Sequence, residues 1–178
     1  MTNNAVNTAY NSPFICTKDH ESADPVLCLS RANFGDPTKE TFEEFAFAAG
    51  VLIKSRLVLG QPAFFMTRQV AELALKALLP TSMQASKFRH DLEKLLTYLQ
   101  GLGDDLFAGG TEQTQIVEFI RELNRLDPGG DGGRYSHTTS DAPALAGVCH
   151  AEPDLLLDEL NRLVTYTATR LGMQPFTV

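Results

Sequence analysis

Three small polar groups in this chain have residue types that suit chemistry: Glu72 with Lys76, His90 with Asp91, and Arg134-Tyr135-Ser136-His137. Glu72 and Lys76 stand four residues apart, so on a helix they share one face. There they could line a cleft and hold a phosphate or a reacting proton. As a plain surface ion pair they would contribute only about 0.2–0.5 kcal/mol. His90 followed by Asp91 could be a general base with its orienting carboxylate. Equally, Asp91 could favour the positive end of a helix while His90 makes a capping or interhelical hydrogen bond. Arg134 and His137 suit phosphodiester cleavage: an imidazole deprotonates a 2′-hydroxyl while a guanidinium stabilises the anionic phosphorane. The structural alternative is that Arg134 pins its loop to an acidic residue, with the Tyr135 ring packed beneath.

Other chemistries fit less well. Gly129-Gly130-Asp131-Gly132-Gly133-Arg134 is glycine-rich. It lacks the preceding strand, the Lys-Ser/Thr ending and the following helix of a phosphate-cradling loop, and reads as a connector. His137, Asp141, Cys149 and His150 are metal-ligand types in a short span, but their spacing matches no standard zinc pattern. No metal or cofactor is expected. A Cys149–His150 catalytic pair is weaker still, because sequence neighbours on irregular backbone seldom face each other.

These residues are carried by segments that read as amphipathic helices. A first helix is expected to begin near Thr38 to Thr41, where Thr41-Phe42-Glu43-Glu44 has capping-box form. It continues through Phe42, Phe45, Ala49, Leu52 and Ile53 until Gly60 ends it. The second follows Gln61-Pro62 and stops before Pro80, with apolar residues on most of its circumference. That marks it as the central helix. Its exception is a polar stripe of Arg68, Glu72 and Lys76. The third covers about His90 to Gln100, with Leu92, Leu95, Leu96 and Leu99 inward. The fourth opens near Thr111, buries Ile116, Phe119, Ile120, Leu123 and Leu126, and is ended by Asp127-Pro128-Gly129-Gly130. The fifth runs from about Pro153 to Gly172 through Leu156, Leu160, Leu163 and Val164. The expected architecture is an all-α up-and-down bundle of five helices over residues 38–178. Residues 1–37 form an irregular N-terminal arm in which Pro25 to Leu29 could make one strand.

Composition bounds the class. The chain has 178 residues, 43% hydrophobic and 21% charged, with a net charge of −7. No apolar run approaches the ~20 residues of a membrane span. The N-terminus has no basic segment leading into an apolar one, which argues against a secretory signal. Cys16, Cys28 and Cys149 are odd in number and suit reduced thiols, so a cytoplasmic location is expected. The acidic balance weighs against a general nucleic-acid binder. Residues 51–100 nevertheless hold seven Lys/Arg against three Asp/Glu, between flanks of −4 and −7. That basic middle is either one electropositive face or a set of salt-bridge partners for the flanks.

A helix bearing Glu72-Leu73-Ala74-Leu75-Lys76-Ala77-Leu78-Leu79, a third helix opened by His90-Asp91-Leu92, and Arg134-Tyr135 after Asp127-Pro128 together resemble the HEPN domain. The name stands for higher eukaryotes and prokaryotes nucleotide-binding, and the resemblance spans roughly residues 40–172. It implies a helical bundle, a homodimer, and a nucleotide- or RNA-associated role in a bacterial or phage defence, toxin–antitoxin or RNA-processing setting. Catalytic members are metal-independent ribonucleases whose Arg and His are separated by four to six residues, in a site composed across the dimer. Here Arg134 and His137 have two residues between them, Arg89 and His90 are adjacent, and Arg125 is too far from His137. The expected function is therefore a non-catalytic binding or assembly module, with Glu72, Lys76, His90, Asp91 and Tyr135 as binding residues. The alternatives are a divergent ribonuclease acting through Arg134 and His137, and a purely structural protein partner in a defence operon.

Overall fold

The computed structural model describes residues 37–55, 60–81, 83, 85–130, 132, 145 and 151–178. They form five α-helices: α1 (Pro37–Lys54), α2 (Gly60–Ala77), α3 (Leu92–Gly101), α4 (Thr111–Leu126) and α5 (Pro153–Arg170). Two short 3-10 turns, Ala85–Phe88 and Asp105–Phe107, lead into α3 and α4. No strand occurs among the described residues. The expected arm and its strand at Pro25–Leu29 lie outside them.

Each helix packs on the next in sequence, and α5 returns to α1. Helix α2 touches all four others, which is the central position its apolar circumference implied. Buried residues recur at helical spacing: Phe42, Ala46, Ala49 and Ile53 on α1, and Leu92, Leu95, Leu96 and Leu99 on α3. Ile116, Ile120 and Leu123 do the same on α4, and Leu160, Leu163 and Val164 on α5. Each fully buried Leu or Ile contributes roughly 1.5–3 kcal/mol over leaving it in water. Phe45, Leu52, Phe119, Leu126 and Leu156, expected inward, are only partly buried at the edges of this core.

Two local expectations are corrected. Helix α1 begins at Pro37, a residue suited to the first helical turn, so Thr41 and Glu44 lie inside the helix and do not cap it. Helix α5 ends at Arg170, and residues beyond it return to the core. Gly172 adopts a left-handed φ of 65°, which turns the chain back. Phe176 then meets Phe42 edge-on at 6.2 Å and stacks on Phe47 at 5.2 Å. Val178 donates its N–H to Asn161 Oδ1 (2.7 Å) and lies in a notch over Gly50. A Cβ at Gly50 would stand 2.7 Å from that of Val178. A glycine mid-helix costs about 1 kcal/mol against Ala, and here it opens the space the tail fills.

Candidate functional site

The polar stripe of α2 points inward. Arg68 is fully buried and Glu72 is 4% exposed, because the stripe faces the junction where the chain enters α3 and leaves α4. Helix ends present carbonyls with no intrahelical partner, and backbone turns outside helices do the same. Arg68 answers two of them. Its Nε donates to the carbonyl of Asp127 at 2.8 Å, and its Nη2 donates to the carbonyl of His90 at 2.6 Å. The third arm, Nη1, reaches Glu72 Oε2 at 3.4 Å, and Nε also lies 3.6 Å from Asp127 Oδ2. A planar fork with five donors suits this task where a lysine point charge would not.

The backbone around Arg68 is shaped to match. Arg89 has a left-handed φ of 49°, unusual for a residue with a side chain, and it turns the His90 carbonyl toward α2. Gly130 has φ of 75° and accepts no side chain there, since a Cβ would lie 2.8 Å from Arg68 Nη1 and 3.1 Å from His90 Cβ. Arg68 and His90 thus clamp the chain at Gly130, four residues before Arg134.

Glu72 is the hub of the charged groups. Its carboxylate takes the Arg68 contact, accepts from Lys76 Nζ, and lies with both oxygens 3.0–3.1 Å from His90 Nδ1. An ionised carboxylate accepts only, so Nδ1 is the nitrogen that donates toward it. The His90 side chain is 48% exposed and that of Lys76 21%. Two cations, Arg68 and Lys76, stand against two carboxylates, Glu72 and Asp127, with the His90 imidazole beside them. The solvent-facing edge is made of Lys76 and His90, with Arg68 and Glu72 beneath as positioning groups.

The Glu72–Lys76 pair and His90, anticipated as separate groups, therefore come together. The bland reading of Glu72 and Lys76 as a surface pair fails, because the Glu72 side chain is buried. Asp91 does not orient His90. It is the N-cap of α3: its Oδ1 accepts from the N–H of Lys94 at 3.0 Å and its Oδ2 pairs with Lys94 Nζ at 2.9 Å. Partial burial works to raise the Asp91 carboxyl, but the hydrogen bonds and charge of Lys94 outweigh it and hold the group below its ordinary value. The carboxylate that orients His90 is Glu72, 18 residues away. Arg134, Tyr135 and His137 lie outside the described residues, as do Asp141, Cys149 and His150. Among the described residues no cluster of His, Cys, Asp or Glu is placed to hold a metal ion.

Sequence reasoning missed Arg68 as the buried centre and Asp127 as its acceptor. The available signals were the position of Arg68 four residues before Glu72 and the sharp end of α4 at Asp127-Pro128. An open groove of about 630 Å³ on the outer side of α3, lined by Phe88, Lys94, Tyr98 and Leu102, is mostly apolar. Its Lys94 is already tied to Asp91, so it offers little to an anion.

The HEPN domain family model matches residues 43–152, well over half of the chain, and the chain belongs to that family. The matched span contains Arg68, Glu72, Lys76, His90 and Asp127. No curated protein and no solved structure matches it. Among the described residues no helix is long and apolar enough to cross a membrane.

Proposed function

We propose that this HEPN-family chain is a non-catalytic helical binding and assembly module. In this reading it works as a homodimer and takes a nucleotide or the phosphate backbone of RNA at the Lys76–His90 edge. The observation that carries the reading is the arrangement on Glu72: one buried carboxylate holds Lys76 and His90 side by side at the surface. An ammonium is a strong phosphate partner, and an imidazole ring beside it adds a second polar group. Glu72 itself already carries three cationic or hydrogen-bonding partners, which suits a positioning role better than proton abstraction from a substrate. Arg68 is fully buried and engaged by two backbone carbonyls, so it supports the site without reaching a ligand.

The test is fluorescence anisotropy with a labelled single-stranded RNA, comparing the wild type with Lys76→Ala and His90→Ala across a salt series, in EDTA. Removing a single phosphate-neutralising cation lowers the salt slope by about 0.7 for a single strand. Weaker binding with a shallower slope in Lys76→Ala, and the RNA recovered intact, is the expected result. Equal binding by all three proteins would refute the edge as the site. Cleavage by the wild type that is lost in an Arg134→Ala/His137→Ala double variant would replace this reading with the ribonuclease one.

A further inference from the structure

The turn that delivers His90 carries Lys87-Phe88-Arg89, two cations around an aromatic ring. Lys87 and Arg89 are both exposed, and neither enters an ion pair among the described residues. Their basic neighbours differ: Arg68 and Lys76 are held on Glu72, Lys94 on Asp91 and Arg121 on Glu93. In a chain of net charge −7 the turn is a local surplus of positive charge. The fold does not use it. Backbone bonds close the turn, from the N–H of Arg89 to the Ser86 carbonyl at 3.2 Å and from the N–H of Asp91 to the Phe88 carbonyl at 3.1 Å. The left-handed φ of 49° at Arg89 would suit glycine, so the turn accounts for the backbone there and not for a guanidinium. An arginine at a strained, exposed position points to a task outside the fold.

Phe88 joins this turn to the open groove on the outer side of α3. Its ring is half-buried and stands 5.3 Å from that of Tyr98, tilted by 57°. The two rings, with Thr97, Gly101 and Leu102, line a mostly apolar space of about 630 Å³. Leu102 is 50% exposed, and nothing lies within 4 Å of where a Cβ would stand on Gly101, so that end is open. Charges on the groove wall are already matched, Lys94 with Asp91 and Glu93 with Arg121. An uncharged flat body suits such a groove, and an anion suits the adjoining turn. A nucleotide unit joins those two parts, a base with a π-face and a phosphate. An acyl chain would leave the hydroxyls of Thr97 and Tyr98 unused, whereas the edges of an unstacked base hydrogen-bond to such groups. His90 follows Arg89 directly and stands with Lys76 on Glu72, so the polar groups extend past one phosphate to the next of a strand.

We propose that the Lys87-Phe88-Arg89 turn and the α3 groove form a base-stacking subsite for single-stranded RNA. An unstacked base lies against Phe88 and Tyr98, and its flanking phosphates meet Lys87 and Arg89. The inference rests on the RNA reading of the Lys76–His90 edge and extends it to a second surface. Fluorescence anisotropy tests it with a labelled oligouridine and a strand of equal phosphate count built from abasic spacers. The full chain is compared with Arg89→Gly and Phe88→Leu, with thermal melts of each. Arg89→Gly relieves the backbone strain, so it should melt no lower than the wild type. It should nevertheless bind oligouridine several-fold more weakly, with a salt slope lower by about 0.7. Phe88→Leu keeps an apolar side chain and should lose about tenfold on oligouridine while leaving the abasic strand unaffected. Unchanged oligouridine binding in Arg89→Gly, or equal losses on both strands in Phe88→Leu, overturns the subsite. Lys76→Ala on the same strands scores the edge separately, and a wild type that binds neither strand overturns both. Displacement of oligouridine by uridine monophosphate at equal phosphate concentration would overturn the strand as ligand in favour of a free nucleotide.

Discussion

Replacing Arg68 with methionine keeps the length and apolar stem of the side chain and removes the guanidinium. In the native fold that group holds two backbone carbonyls, at Asp127 and His90, and stands between the carboxylates of Glu72 and Asp127. Had the stripe been solvated, the loss would be about 0.2–0.5 kcal/mol. Because it is buried, removing one partner strips the remaining charges of compensation and costs about 3–5 kcal/mol. For a domain of this size 1 kcal/mol moves the melting temperature by about 2–4 °C, so the variant should melt roughly 6–20 °C lower. Urea unfolding followed by circular dichroism measures the free energy, with an unchanged m-value showing that the denatured state is not the cause. Arg68→Lys should fall between, since an ammonium keeps the charge but cannot span both carbonyls. In a double-mutant cycle, Arg68→Met and Glu72→Gln should couple by about 0.5–3 kcal/mol. A loss below about 1 kcal/mol in Arg68→Met, or strict additivity with Glu72→Gln, would refute the role of Arg68 as the tie between α2, α3 and α4.

Gly130→Ala and Gly103→Ala both force alanine into left-handed backbone, at φ of 75° and 69°. The conformational cost is about 1–2 kcal/mol in each, but only Gly130 meets Arg68 and His90, whereas space at Gly103 is open. Chemical denaturation should find Gly130→Ala the more destabilised, and equal losses would show that Arg68 and His90 do not clamp the chain there. Asp91→Ala should cost about 1 kcal/mol at neutral pH through the lost cap. The Asp91 carboxyl titrates below its ordinary value of 3.8 in the fold, so its contribution is complete above that pH. The gap between wild type and variant should then close as pH falls below 3.8 through the lowered folded value, and a gap that persists in acid would contradict the cap.

What the sequence alone determined was local. Helix existence follows from apolar spacing over ten to twenty neighbours, so α1 to α5 were legible, as were the stop at Asp127-Pro128 and the inward leucines of α3. The helix order, with the run from Glu72 to Leu79, His90-Asp91-Leu92 and Arg134-Tyr135 after Asp127-Pro128, marked the family resemblance. The Thr41 capping-box pattern misled because a short motif does not reveal that Pro37 has already opened the helix. Tertiary structure decided which way the α2 stripe faced. A pattern of Arg68, Glu72 and Lys76 at helical spacing reads identically on a wet surface and in a buried junction. Only the arrival of the His90 turn, 22 residues on, and of Asp127, 59 residues on, distinguishes the two. The same holds for Gly50 and Val178, whose fit joins two ends of the described chain. Contacts of that range depend on how whole helices pack, and no residue spacing encodes them.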